Sequence, residues 1–254
     1  MDATASALPG PETPTTTTIT PIPPISTHTS PSAAARFNAL TSHVFLTEPL
    51  TIILRLEADR PPNNLLLESH ILAGYGLRTT RKLADGGVII EAGNWAAAAI
   101  WDPPGSTVSG PPLTEAERAR RPVFASFIDD IAAAKKRHMP PGQRYWHLSM
   151  MARDPRVQPP VKGAVRAVIE PYLRRAREEG LPVWLEASST RARDVYAHLG
   201  FEVLECVENG MGKYRADGYP AGEGEEAPGV PTWFMIHNRT WSEKEVHGRL
   251  NGAV

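Results

Sequence analysis

The chain has 254 residues, 41% of them hydrophobic, and 27 basic against 28 acidic side chains leave a formal net charge of -1. That length suits one sizeable core, and the near-zero charge excludes a general electrostatic pull toward nucleic acid or anionic lipid. The longest apolar stretch, residues 95–101, is far shorter than the roughly 20 residues of a membrane helix, no secretory layout opens the chain, and a single cysteine, Cys206, excludes an intrachain disulfide, so a cytoplasmic protein is expected.

In chain order, residues 1–15 are rich in Ala, Pro and Thr and read as a disordered tail, with one domain over 16–254. Residues 16–25 are β-branched and read as a first strand, with Pro21, Pro23 and Pro24 making it ragged. Ser30-Pro31-Ser32 opens a helix through Phe37, Leu40 and Val44, since serine caps free amides and proline is tolerated in a first turn. A second helix is expected over 65–77. Residues 88–92, Gly93-Asn94 and 95–101 read as a β-hairpin, stopped by Asp102-Pro103-Pro104-Gly105. Thr114 and Glu117 have capping-box spacing. Val123, Phe124, Phe127, Ile128 and Ile131 recur at helical intervals, and Lys135-Lys136-Arg137 closes that helix with favourable charge.

The second half alternates: strand 145–152, helix 163–179 with Val165, Val168, Ile169, Tyr172, Leu173 and Ala176 on one face, strand 182–187, helix 190–199, strand 201–207, a Gly-rich loop over 209–229, and strand 232–237. Cys206 reads as a buried thiol on its strand. This order predicts a mixed sheet with helices on both faces. The eight histidines lack helical zinc spacing, and neither a Gly-x-Ser-x-Gly elbow nor a Walker-type loop is present.

Residues 148–155 (Leu-Ser-Met-Met-Ala-Arg-Asp-Pro), then Gln158 to Gly163 and a long helix, resemble the acetyl-CoA segment of the GCN5-related N-acetyltransferase (GNAT) family. Residues 182–189 (Pro-Val-Trp-Leu-Glu-Ala-Ser-Ser) and 195–201 (Val-Tyr-Ala-His-Leu-Gly-Phe) are similar to the family's second signature. The hairpin ending Ala-Ile-Trp-Asp-Pro-Pro-Gly and the late Pro-Thr-Trp-Phe-Met look like fungal members. The resemblance spans residues 16–238 in element order and is specific at residue level over 148–201.

The resemblance implies an α/β acyltransferase fold on a mostly antiparallel sheet. It also implies direct acetyl transfer from acetyl-CoA to an amine, with a small molecule as acceptor, no metal, and a monomer or homodimer. The backbone of Met150, Met151 and Ala152 would pair with the pantetheine arm. Gln158, Val161, Lys162, Gly163 and Ala164 would face the pyrophosphate at a helix N-terminus. Tyr196 would protonate the departing thiolate. Glu186, Glu91 and His147 lie on strands as candidate proton relays, with pairing of Glu186 to Arg191 or Arg193 as the structural alternative. The sequence departs from the family's phosphate loop in both available registers. With Gln158 leading, Val161 replaces a glycine. With Pro160 leading, proline replaces the polar residue and Val165 the last glycine. Pro159 and Pro160 cannot donate backbone hydrogen bonds in either. Lys162 can supply charge instead. The alternative implied by this loop is a GNAT-fold binding or scaffold protein without turnover.

Overall fold

A computed structural model describes residues 22–106, 112–242 and 245–246. The expected tail at 1–15 lies outside the described residues. Seven strands form one sheet: β1 (Ile25–His28), β2 (Val88–Ala92), β3 (Ala97–Asp102), β4 (Trp146–Arg153), β5 (Val183–Ala187), β6 (Glu202–Asn209) and β7 (Val230–His237), in the order β1-β2-β3-β4-β5-β7-β6. Every neighbouring pair is antiparallel except β4 and β5.

Of the first strand expected over 16–25, residues 16–21 lie outside the described residues, and β1 shares only Ile25 with it. Proline nitrogen has no hydrogen for a ladder, so pairing with β2 begins at Ile25, just past Pro24. The hairpin turn is also longer than the Gly-Asn pair. Gly93, Asn94 and Trp95 all have positive φ, Glu91 accepts the Trp95 amide at 2.6 Å, and β3 begins only at Ala97. Glu91 is thereby committed to closing a turn. Cys206 is exposed on the edge strand β6 rather than buried.

The helices are α1 (Pro31–Phe45), α2 (Pro49–Asp59), α3 (Glu68–Ala84), α4 (Glu115–Arg120), α5 (Pro122–His138), α6 (Ala164–Glu178) and α7 (Thr190–His198). Ser30 caps α1 by accepting from the Ala33 amide at 3.3 Å, and Thr114 and Glu117 form the expected capping box. The sequence reading missed α2. Its start is marked by Glu48-Pro49, where the carboxylate accepts from Leu50 N and Thr51 N at 3.2 and 2.7 Å. Glu57 on α2 in turn accepts from the first amides of α5, Val123 and Phe124, which ties these two helices together.

On one sheet face, α6 buries Ala164, Ala167, Val168, Tyr172, Leu173 and Ala176, the 3.6-residue stripe of its sequence. Tyr172 stacks on Trp101 at 4.7 Å, and the Trp101 indole donates to Val168 O at 3.1 Å, so the aromatic body is buried without orphaning its N–H. On the other face, α1 and α3 cover β2 to β4 while α5 covers Trp184, Phe234 and Ile236. Among the described residues no helix is long and apolar enough to cross a membrane.

Candidate active site

The site is built where the parallel pair fails. β4 and β5 are paired at only two positions, Trp146↔Val183 and His147↔Trp184. Beyond them β5 stays paired to β7 as far as Ala187, and β4 stays paired to β3 as far as Arg153. The two facing edges therefore diverge with backbone groups turned into the gap, and a backbone edge of this kind takes an extended amide-bearing chain as an added strand. Met150, Met151 and Ala152 lie on this free edge, as expected from sequence. β4 also carries a bulge. Leu148 opposes Trp101 and Met150 opposes Ile100, so Ser149 is an extra residue. The bulge swaps the strand's faces: Trp146 and Leu148 pack toward α6, whereas Met150 and Ala152 pack with α1.

From Arg153 the chain runs through a loop into α6. Gly163 sits immediately before the helix at φ 78, a left-handed conformation that glycine adopts without strain, so the expected helix start is where the sequence put it. The first turn leaves the amides of Val165 and Arg166 without intrahelical acceptors, at the positive end of the helix dipole. Lys162 is exposed beside them. Gln158 folds back to donate to Pro155 O at 2.9 Å, so its side chain is engaged within the loop. Val161 packs against the hairpin tip, where a Cβ on Gly93 would come within 3.0 Å of it.

Beneath the divergence lies a chain of charged side chains. Lys82 Nζ on α3 donates to Asp102 Oδ2 at 2.5 Å, and His147 Nδ1 meets the same oxygen at 3.1 Å. His147 Nε2 is 2.9 Å from Glu186 Oε2, and Trp184 Nε1 donates to Glu186 Oε1 at 2.6 Å. Each imidazole nitrogen of His147 thus faces one carboxylate, and the four side chains close one hydrogen-bonded set. Burial pushes Glu186 up, but the charge of His147 and its hydrogen bond outweigh this and hold the carboxyl at about 2. Asp102 follows the same pattern: burial raises it, and the His147 hydrogen bond and charge, with Lys82, bring it below the ordinary range. Burial and the neighbouring charge of Arg78 pull Lys82 down, yet two donors on Asp102 Oδ2 support the ionised pair. Glu186 thus pairs with His147, not with an arginine; Arg193 binds Asp194 and lies over Trp233.

A second carboxylate is tuned the opposite way. Burial raises the pKa of Glu48, offset only in part by Thr51, the Leu50 amide and the hydroxyl of Ser188. Ser188 directly follows Ala187, the end of β5, and the two Glu48 oxygens accept from the Leu50 and Thr51 amides at the α1–α2 junction. Sequence reasoning passed over Glu48, although a carboxylate before proline at an apolar period was a visible helix-start signal. Tyr196, the expected proton donor, is buried on α7 against Phe201 at 5.8 Å. Burial alone drives its pKa up, so the phenol keeps its proton at any physiological pH.

No protein-family model matches the chain. It is 30% identical over 113 residues to increased recombination centers protein 11 of Saccharomyces cerevisiae, covering 44% of this chain and 70% of that protein. It is 30% identical over 154 residues to the uncharacterized protein YDR391C of the same yeast, covering 60% and 62%, and 27% identical over 133 residues to an uncharacterized N-acetyltransferase, C550.08, of Schizosaccharomyces pombe, covering 48% and 53%. The chain therefore spans between half and about two thirds of these relatives. In structure it is similar to a histone acetyltransferase HPA2-related acetyltransferase of Corynebacterium glutamicum, with TM-score 0.52, 19% identity and coverage of 87% and 98%. It is also similar to the C-terminal condensation domain of Ebony, solved with β-alanyl-dopamine, with TM-score 0.57, 11% identity and coverage of 85% and 99%. Those identities speak to the fold.

Proposed function

We propose that the chain is an acetyltransferase of the GCN5-related N-acetyltransferase (GNAT) family and that it moves an acetyl group from acetyl-CoA directly to the amine of a small molecule. The observation that carries this reading is the divergence of β4 from β5 after only two paired positions, followed by a glycine-started helix. Acetyl-CoA, when bound, supplies the activated thioester. The residues present fit it: the free edge at Met150, Met151 and Ala152 suits the amide-bearing arm, and the first turn of α6 with Lys162, Gly163 and Ala164 suits the pyrophosphate. Val161 and Gln158 shape the loop around it.

The proton inventory assigns the other roles. The attacking amine must lose a proton and the departing sulfur must gain one. Both ring nitrogens of His147 are engaged by carboxylates, and Glu186 at about 2 is a feeble base. Glu48, raised by burial and hydrogen-bonded to Ser188 just past the end of β5, is the base that removes the amine proton as the nitrogen–carbon bond forms. Tyr196, held protonated by burial, gives its proton to sulfur as the carbon–sulfur bond breaks and is reprotonated from water. Glu186 and His147 hold the floor of the gap rigid, so that Glu186 is a positioning residue. Holding both substrates in line supplies much of the acceleration.

The test is incubation of the full chain with acetyl-CoA labelled in the acetyl group and a panel of small amines, read by mass spectrometry. Labelled N-acetyl product that depends on Glu48 and Tyr196 supports the reading. Binding of acetyl-CoA with no transfer to any amine supports the second reading, a GNAT-fold binding module. That second reading rests on Pro159 and Pro160, which remove two amide donors from the phosphate loop.

A further inference from the structure

The acceptor end of the gap has charges that the proton inventory leaves unused. Arg78 on α3 lies over the bulge of β4, and its guanidinium donates to the Ser149 hydroxyl at 3.2 Å. Among the described residues no carboxylate pairs with it. Its charged neighbours Lys82, Asp102, His147 and Glu186 hydrogen-bond among themselves, and among the described residues none of them pairs with Arg78.

Tyr75 lies one turn before Arg78 on α3. Burial raises its phenol to about 12, and both Glu48 and Arg78 act on it, from opposite directions in sign. Its hydroxyl shares a hydrogen bond with Thr51 at 3.1 Å, and its ring meets Phe45 edge-on at 5.8 Å. Glu48, Thr51, Tyr75 and Arg78 are thus linked in series, through the Thr51 amide, the Tyr75 hydroxyl and one turn of α3, from a carboxylate to a forked cation. Glu48 takes up the amine in the reading above. A guanidinium without an internal partner presents five N–H donors in a planar fork that matches a carboxylate two bonds at a time.

We propose that the acceptor is an amine that also carries a carboxylate, an amino acid, and that Arg78 with Ser149 reads that carboxylate while the amine faces Glu48. The proposal rests on the acetyltransferase reading and adds the charge class of the acceptor. It makes Arg78 a specificity-determining residue, distinct from the groups that move protons.

The experiment compares matched pairs that differ only by the carboxylate, such as tyrosine with tyramine and phenylalanine with phenethylamine, using wild type, Arg78→Ala and Arg78→Lys. Wild type should favour the carboxylate-bearing member of each pair in kcat/KM. Arg78→Ala should lose about 10- to 100-fold on the amino acids, mainly through KM, while the decarboxylated amines change less than threefold. Arg78→Lys should recover part of the loss, because lysine restores the charge without the fork. Arg78 is exposed, and circular dichroism with acetyl-CoA titration confirms that each variant is folded and binds its co-substrate. Preference for the decarboxylated amines, or an equal effect of Arg78→Ala on both members, overturns the proposal and leaves acetyl transfer standing. Acetylation of neither member overturns both.

Discussion

Glu186→Gln tests the buried charge chain with a near-isosteric change. The carboxyl of Glu186 is held at about 2 against an ordinary value of 4.5. A group depressed in the folded state contributes stability above its unfolded pKa and loses it as the pH falls through the folded value. The difference of about 2.5 units corresponds to about 3 kcal/mol at pH 7 and to roughly 1 kcal/mol at pH 3. Glutamine keeps an oxygen for the Trp184 indole, at 2.6 Å from the native carboxylate, but it brings no charge to His147 at 2.9 Å. The imidazole then faces one carboxylate instead of two, and a half-buried polar network is left partly unsatisfied. Urea unfolding at pH 7 and pH 3 measures both numbers. Equal stability of wild type and variant at pH 7, or a gap at pH 3 as wide as the one at pH 7, would refute the charge chain.

Glu48→Gln should cut the turnover rate at pH 7 by about 100-fold, and it should flatten the acidic limb of the pH–rate profile, because a base with a raised pKa must be deprotonated to act. Tyr196→Phe removes one hydroxyl and little volume; unfolding should shift by less than about 1 kcal/mol while the chemical step, read in single-turnover assays, slows by about 100-fold. Lys162→Ala should weaken acetyl-CoA binding measurably in calorimetry without altering the unfolding midpoint, since the side chain is exposed. Replacing Pro159-Pro160-Val161 with Gly-Lys-Gly should tighten acetyl-CoA by restoring amide donors, each charge-assisted bond being worth roughly 1.5–3 kcal/mol; an unchanged dissociation constant would show that those donors are not used.

Local patterns read well where one rule acted alone. The Ser30 cap, the Thr114 and Glu117 box, the stripe of α6 and the glycine before it all follow from backbone chemistry within a few residues. The hairpin turn was longer than its Gly-Asn pair because three consecutive left-handed residues, Gly93 to Trp95, delay the second strand to Ala97. Of the proposed site, residues 150–152, Gly163 and Tyr196 could be named from their order along the chain. Arg78 could not, because the fold brings α3 to the bulge of β4 across 71 residues, and no spacing in the sequence encodes that. Glu186 was found for its strand position but given the wrong partner; an arginine near in sequence lost to a histidine on the adjacent strand.

The central claim is that the gap between β4 and β5 takes acetyl-CoA, and isothermal titration of acetyl-CoA into the full chain measures it most directly. The account predicts one site per chain, weakened by Lys162→Ala and by added salt because part of the contact is charge on phosphate. A titration with no saturable heat at any attainable concentration, confirmed by an unchanged unfolding midpoint in excess acetyl-CoA, would contradict it.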